Sequence, residues 1–135
     1  MLVNLYSRGC DLESLDHICA SINAEDEHRD CIINGDFNAH NPIWGSPSGD
    51  RQGRAVWEWA GENDKILLND GSITRVDKGT GAGTHIDLTF VSPKFSAISK
   101  WVVLDDNMGS DHLPICTTIF SQNCKNGEKI DSEKF

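Results

Sequence analysis

The chain alternates between short apolar runs and polar or glycine-rich stretches, a pattern that predicts strands joined by loops and helices. Two segments carry apolar residues at three- and four-residue spacing, which predicts helices at Asp11–Asn23 and Arg51–Asn63. The second helix should bury Val56, Trp59 and Ala60. Other apolar runs have the length and alternation of strands, and they lie at Leu2–Tyr6, Cys31–Asn34, Lys65–Asn69, Ile86–Val91, Trp101–Leu104 and Pro114–Phe120.

The stretches between these elements predict loops and a polar tail. Prolines, glycines and serines fill Ala39–Gly53, which is typical of a long loop. The glycine-rich run Asp77–Gly83 lacks the GxxxxGK[ST] order and no helix follows it, so it does not predict a phosphate-binding loop. From Ser121 the chain is polar and mixed in charge. We therefore expect one domain over residues 1–120 and a polar tail over 121–135.

Composition narrows the class of protein. A chain of 135 residues with 38% hydrophobic and 24% charged residues is typical of one globular domain. No apolar run approaches the roughly 18 residues of a membrane-spanning helix, so a membrane partner is not expected. Five cysteines without CxxC spacing predict neither a zinc site nor a disulfide framework. Free cysteines favour a reducing intracellular compartment, cytoplasmic or nuclear.

The net charge of −9 argues against sequence-independent binding of nucleic acid, because such binding depends on lysine and arginine side chains near the phosphates. Acidic side chains gathered in a site can instead bind Mg²⁺, which then meets the phosphate. Arg51 and Arg54 lie one helical turn apart. They form a basic patch just after the segment Gly35–Ser46, and it is the only basic patch in the sequence that we expect to contact a nucleic-acid backbone.

Two tetrapeptides next to predicted strands carry the candidate chemistry. Gly35-Asp36-Phe37-Asn38 follows one strand, and Gly109-Ser110-Asp111-His112 precedes another. Each alone has an ordinary structural interpretation, because Asp and Asn are common turn formers. Together they offer two carboxylates, a carboxamide and an imidazole, which suit metal-assisted attack on a phosphodiester.

A third candidate is the alternating segment His85–Phe90. Strand geometry places Asp87 on the polar face, opposite the face of Ile86 and Leu88. If that face meets solvent, Asp87 is an ordinary exposed acid. If it faces His112, its carboxylate can orient the imidazole for acid–base chemistry. His40 is expected at the surface.

The first tetrapeptide is part of a longer segment, Gly35–Ser46, that resembles the endonuclease/exonuclease/phosphatase superfamily, in the apurinic-endonuclease-like domain of non-LTR (jockey-like) retrotransposons. Three further segments match the family in its order along the chain: Arg51–Ala55, Ile86–Pro93 and Gly109–Ile115. Matches in a fixed order are far more specific than any one of them alone.

This resemblance implies a role for each catalytic candidate. Asp36 would activate the attacking water, and Asn38 would hold the scissile phosphate and its transition state. His112, oriented by Asp87, would contact the phosphate. Tyr6 matches a family tyrosine that leans on the same phosphate, although Ser7-Arg8-Gly9 stands where the family usually has prolines.

The resemblance also implies a cofactor and a partner. Asp36, Asn38 and Asp111 would hold Mg²⁺ (or Mn²⁺), and DNA would be the substrate, with Arg51 and Arg54 on its backbone. Two other functions stay open: a non-catalytic remnant that binds a partner, and a phosphoesterase for a small molecule or an inositol lipid. The acidic net charge suits the latter.

The implied fold is α+β, a partial four-layer α/β/β/α sandwich of the DNase I-like type. Two mostly antiparallel layers would pack together, with both helices on an outer face. The family's asparagine and principal metal-binding glutamate would lie before Met1, so the chain resembles the C-terminal part of the domain with several N-terminal strands missing. We accordingly expect this polypeptide alone to be a weak nuclease or none.

Overall fold

A computed structural model describes residues 2–6, 13, 15–17, 20, 21 and 30–121 of the chain. The predicted helix at Asp11–Asn23 falls partly outside these residues, but positions 13, 15–17, 20 and 21 are helical. The predicted tail lies outside the described residues from position 122 onward.

Eight strands and two short or medium helices make up the rest of the described fold. The helices are α1 (Arg51–Glu62) and α2 (Pro93–Ser96), and a 3₁₀ turn spans Pro42–Trp44. The strands are β1 (Leu2–Tyr6), β2 (Ile32–Asp36), β3 (Ile66–Leu67), β4 (Arg75–Val76), β5 (Gly83–Thr84), β6 (Asp87–Val91), β7 (Ser99–Val103) and β8 (Ile115–Ile119).

The central sheet has four strands in the order β1-β2-β6-β3. β1 pairs with β2 in parallel, whereas β6 pairs antiparallel with both β2 and β3. Two antiparallel pairs, β4-β5 and β7-β8, form separate small sheets. Most described pairings are therefore antiparallel, as predicted.

One face of the central sheet packs against α1 and forms the core. Ile33 and Phe90 point to this face and are fully buried, together with Val56 of α1. The rings of Trp59 and Phe37 both meet the Phe90 ring edge-on, at centroid distances of 5.8 and 5.6 Å. The predicted apolar stripe of the helix is thus confirmed.

The opposite face of the central sheet is covered in part by the β7-β8 pair. Thr89 is fully buried there, and its hydroxyl accepts a 3.1 Å hydrogen bond from the indole N–H of Trp101 on β7. Each face of the central sheet is therefore covered by a different layer, one by α1 and the other in part by the β7-β8 pair. The α+β class and the two packed layers are confirmed.

The structure differs from the predicted elements at several boundaries. β2 continues through Gly35 to Asp36, so the first tetrapeptide begins inside a strand instead of after it. β4 and β5 were not predicted, because two-residue strands are too short to show an alternation. The glycine-rich run is the loop between them, where the Asp77 carboxylate accepts hydrogen bonds from the backbone N–H groups of Gly79 and Thr80.

Candidate active site

The pairing of β2 with β6 brings two acidic residues together at one end of the sheet. Asp36, the last residue of β2, lies directly opposite Asp87, the first residue of β6. On its other side β2 lies close to β1, and Gly35 is required there, since a Cβ would lie 1.9 Å from the Leu5 backbone oxygen. The sheet itself therefore sets the distance between the two carboxylates.

The imidazole of His112 lies between these carboxylates. Its Nδ1 is 3.0 Å from Asp87 Oδ2 and 3.1 Å from Asp87 Oδ1, and its Nε2 is 3.8 Å from Asp36 Oδ2. The side chains of Asp36 and Asp87 are 11% and 15% exposed, against 35% for His112. Of the two interpretations of Asp87, the structure favours the one in which it orients His112. We call Asp36, Asp87 and His112 the acidic cluster.

Electrostatics in the cluster disfavour the charged form of Asp36. Burial is the largest cause and raises the pKa of the Asp36 carboxyl, and the neighbouring Asp87 raises it further. The N–H of Asn38, which donates to Asp36 Oδ1 at 3.0 Å, opposes this effect, as do His112 and Arg75. The net pKa is raised, so the fold holds a carboxylate here at an electrostatic cost.

Two uncharged side chains that sequence reasoning missed hold Asp87 in place. The hydroxyl of Thr74, a fully buried residue, accepts a 3.1 Å hydrogen bond from the Asp87 N–H. The Asn69 amide donates to the Asp87 carbonyl at 2.9 Å and accepts from the Thr89 N–H at 2.9 Å. Asn69 belongs to Asn69-Asp70-Gly71, which the sequence indicates as a turn and not as a support for the site. Thr74 belongs to no recognisable motif.

Asn38 and Tyr6 lie next to the same end of the sheet. Asn38 adopts a left-handed backbone with φ 46°, a conformation that Asn tolerates better than most residues. Tyr6 is the register partner of Asp36 in the parallel β1-β2 pair, and it is 72% exposed. Both predicted residues are thus adjacent to the cluster along the backbone or across the sheet.

Asp111, a predicted metal ligand, pairs with a different group. Its Oδ2 accepts from Arg75 Nε at 3.0 Å and from an Arg75 terminal nitrogen at 2.9 Å. The hydrogen bond from Arg75 lowers the pKa of the Asp111 carboxyl. The structure therefore places Asp111 beside the cluster but engaged with an arginine.

Arg51 and Arg54 lie in the first turn of α1, and both are exposed. With Asn41, Pro42 and Gly49 they line an open groove of about 690 Å³. Asp50 caps the start of the helix, and its side chain accepts a 2.7 Å hydrogen bond from the Gly53 N–H.

Asp50 also binds the ring of His40, at 2.7 Å from Nδ1. Burial opposes ionisation of Asp50, but the bonds from Gly53 and His40 outweigh it and lower the pKa of this carboxyl. His40 is partly exposed, as predicted for a surface residue, yet it also ties the long loop to the start of α1.

The acidic cluster has the donor set of a divalent-cation site. Each of its three residues offers one ligand atom, and these atoms lie within 4.8 Å of one another. Carboxylate oxygens suit Mg²⁺ and Mn²⁺, and an imidazole also suits Mn²⁺. A bound cation would offset the burial and the neighbouring Asp87 charge that raise the pKa of Asp36. The residues therefore fit a divalent metal.

Comparison with protein families gives one match. The model of the family described as endonuclease-reverse transcriptase aligns with residues 1–116. The chain belongs to this family, within the endonuclease/exonuclease/phosphatase superfamily. The resemblance seen in the motifs is confirmed. A search of curated proteins returns no significant match.

Solved structures share the fold of this chain at low sequence identity. The endonuclease domain of TRAS1, a telomere-specific non-LTR retrotransposon, matches with a TM-score of 0.74 at 24% identity, over 88% of this chain and 56% of that one. The 3′-5′ exonuclease NExo from Neisseria meningitidis matches with a TM-score of 0.63 at 18% identity, over 87% and 60%.

A third match is the catalytic domain of APE2 from Xenopus laevis, with a TM-score of 0.64 at 19% identity, over 87% of this chain and 49% of that one. The chain thus spans about half to three fifths of the length of these structures. These similarities support a partial DNase I-like α+β sandwich. Within the described part of the chain, no helix is long and apolar enough to cross a membrane.

Proposed function

We propose that this chain carries a divalent-metal-dependent phosphodiesterase site whose substrate is DNA. The observation that carries the proposal is the acidic cluster, in which Asp36, Asp87 and His112 meet at one end of the central sheet. Membership of the endonuclease-reverse transcriptase family supports the reaction class.

Each residue of the cluster has a role that its contacts support. Asp36, the last residue of β2, accepts the proton of the attacking water. Asp87 accepts from Nδ1 of His112, so protonated His112 can present its Nε2–H to a phosphate oxygen. Asn38 and Tyr6, both next to Asp36, would contact the same phosphate.

A divalent ion, Mg²⁺ or Mn²⁺, would be held chiefly by the carboxylates of the cluster. When bound it would supply positive charge to the phosphate as negative charge develops. Two carboxylates make a sparse ligand set for a cation that gives up its water reluctantly. We therefore propose weak activity for this 135-residue chain by itself.

DNA is favoured as the substrate by the exposed arginines at the start of α1. Arg51 and Arg54 line an open groove of about 690 Å³, which Asp50 also lines. A related structure, the 3′ phosphatase NExo from Neisseria, is bound to a product DNA hairpin. Replacing both arginines with alanine should weaken DNA binding about equally for all sequences and reduce its salt dependence.

Nicking of supercoiled plasmid by the purified chain tests the proposal. With Mn²⁺ we expect slow nicking that EDTA stops and that Asp36→Ala and His112→Ala abolish. Glu58→Ala, a change on the exposed surface of α1, is the matched control and should nick like the wild type. Nicking that persists in both cluster variants, or no nicking in any protein, would contradict the proposal.

A small phosphate ester is the second candidate substrate, because the net charge of −9 disfavours a polyanion. One solved structure with the same fold is a mannosyl-6-phosphatase from Bacteroides thetaiotaomicron, at 18% identity and a TM-score of 0.56. Release of phosphate from a sugar or inositol phosphate, with no nicking of plasmid, would favour this alternative.

A further inference from the structure

We propose that the ion pair between Arg75 and Asp111 positions His112 for the reaction, so that Asp111 acts through its arginine and not as a metal ligand. The inference rests on the proposed function of the cluster. It assigns Arg75 a role that no motif gave it, and it changes the role of Asp111.

The ion pair is well defined in its geometry. Two nitrogens of Arg75, Nε and a terminal one, lie 3.0 and 2.9 Å from the same oxygen, Asp111 Oδ2. The two side chains are 33% and 36% exposed, so the pair is partly shielded from water. The planar guanidinium fixes the direction of both bonds, which a lysine at this position would not do.

Backbone contacts connect this pair to His112. Arg75 and His112 form an antiparallel bridge. On either side of it, the Val76 N–H donates to the Asp111 carbonyl and the Leu113 N–H donates to the Thr74 carbonyl, each at 2.8 Å. Residues 111–113 thus lie along β4 like a short added strand, and the ion pair holds their register.

Thr74, the residue before β4, also binds the backbone of Asp87, whose carboxylate contacts His112. The Thr74 hydroxyl accepts from the Asp87 N–H at 3.1 Å, while the Thr74 carbonyl accepts from Leu113. The positions of Asp87 and His112 therefore both depend on contacts with residues 74–76. A slip of residues 111–113 along β4 would break the 3.0 Å contact between His112 and Asp87.

The ion pair with Arg75 explains why Asp111 is not part of the acidic cluster. Among the described residues, the group whose ligand atoms lie within 4.8 Å of one another contains Asp36, Asp87 and His112, and it does not contain Asp111. Arg75 also lies close enough to Asp36 to favour its charged form. The arginine thus serves the cluster from outside it.

The ring signals of His112 in metal-free protein test the positioning role. In a nitrogen–proton NMR spectrum, His112 is assigned by the signals that disappear in His112→Gln. We expect these signals to shift or broaden in Arg75→Ala and in Asp111→Asn, and to return toward the wild-type position in part in Arg75→Lys. Unchanged ring signals in both Arg75→Ala and Asp111→Asn would overturn the proposal.

A second ion pair of the chain provides the control. Lys94 of α2 lies 3.3 Å from Asp30, outside the cluster, so Lys94→Ala removes an ion pair without touching β4. Its His112 signals should match those of the wild type. A well-dispersed spectrum in every variant shows that folding is retained. Asp111→Asn keeps the shape of the side chain and guards against a loss of fold.

Binding of Mn²⁺, followed by electron paramagnetic resonance, separates the two roles of Asp111. We expect Asp111→Asn to change the Kd by less than about twofold, because Asp111 contributes no ligand charge, and Asp36→Asn to weaken it by about tenfold or more, because it removes one. A loss of about tenfold in Asp111→Asn would make Asp111 a metal ligand and overturn the proposal. If the wild type bound no Mn²⁺, the proposed function would fail, while the ring signals would still decide the positioning role.

Discussion

Replacing Asp36 with asparagine should make the metal-free protein more stable, and the same substitution should abolish the proposed nicking of DNA. The carboxylate lies opposite Asp87 in the antiparallel register, and burial raises its pKa, so its ionised form is disfavoured in the fold. Asparagine has nearly the same shape, and its Oδ1 can still accept the 3.0 Å bond from the Asn38 N–H. The substitution therefore removes the repulsion and keeps the local hydrogen bond.

The size of the effect follows from the strand pair. Like charges directly opposite each other across strands cost about 0.2–1 kcal/mol. With the Asp36 side chain only 11% exposed, we expect the upper part of this range, about 1 kcal/mol at pH 7. For a domain of 135 residues this corresponds to about 3–4 °C in Tm.

The sign of the pH dependence is fixed by the direction of the shift. Because the folded pKa of Asp36 is raised, its ionisation destabilises the fold as pH rises above the ordinary aspartate value of about 3.9. At lower pH the carboxyl is neutral in both the folded and the unfolded state. The advantage of Asp36→Asn should therefore be present at pH 7 and absent at about pH 3.

Urea denaturation in EDTA at the two pH values measures this difference, with Glu58→Gln as a control on the exposed face of α1. Mn²⁺ at ten times the wild-type Kd stabilises the wild type by about 1.4 kcal/mol and a variant of tenfold weaker affinity by about 0.4 kcal/mol. Adding it should therefore narrow or remove the difference in stability between the two proteins. If Asp36→Asn is less stable than the wild type in EDTA at pH 7, the repulsion inferred for the cluster is wrong.

Two further predictions concern the loop that leads from the cluster to α1. Gly53→Ala should lower the free energy of unfolding by about 2 kcal/mol or more, since its Cβ would lie 1.8 Å from the His40 carbonyl oxygen. Gly61→Ala in the same helix meets no atom within 4 Å and should raise it by about 0.5 kcal/mol or more in the same urea titration. Asp50→Ala removes the helix cap and should cost about 1 kcal/mol at pH 7. Because the folded pKa of Asp50 is lowered, this cost should shrink as pH falls below about 3.9, and an unchanged cost at pH 3 would contradict the assignment.

The sequence was informative where a residue pattern has one physical solution. Alternation along the His85–Phe90 segment predicted that Asp87 lies opposite the apolar face of Ile86 and Leu88, and the full burial of Leu88 and Phe90 confirms that apolar face. In the family motif, Phe37 and Trp44 are fully buried, so part of that motif serves the core and not the chemistry.

What the sequence did not predict depends on contacts between distant positions. The register that sets Asp36 opposite Asp87 is a property of the sheet, and Arg75 meets Asp111 across 36 positions. Thr74 supports the site through its hydroxyl and its backbone carbonyl, and no pattern in the sequence around it indicates either contact. Local propensity gives no information about such pairings.

A crystal structure of the chain with Mn²⁺, read from the anomalous signal of the ion, tests the central claim most directly. The account predicts a Mn²⁺ peak within ligand distance of an Asp36 carboxylate oxygen at the acidic cluster, with Asp111 still paired with Arg75. A peak bound by Asp111 away from Asp36, or a cluster that binds no ion at saturating Mn²⁺, would contradict it.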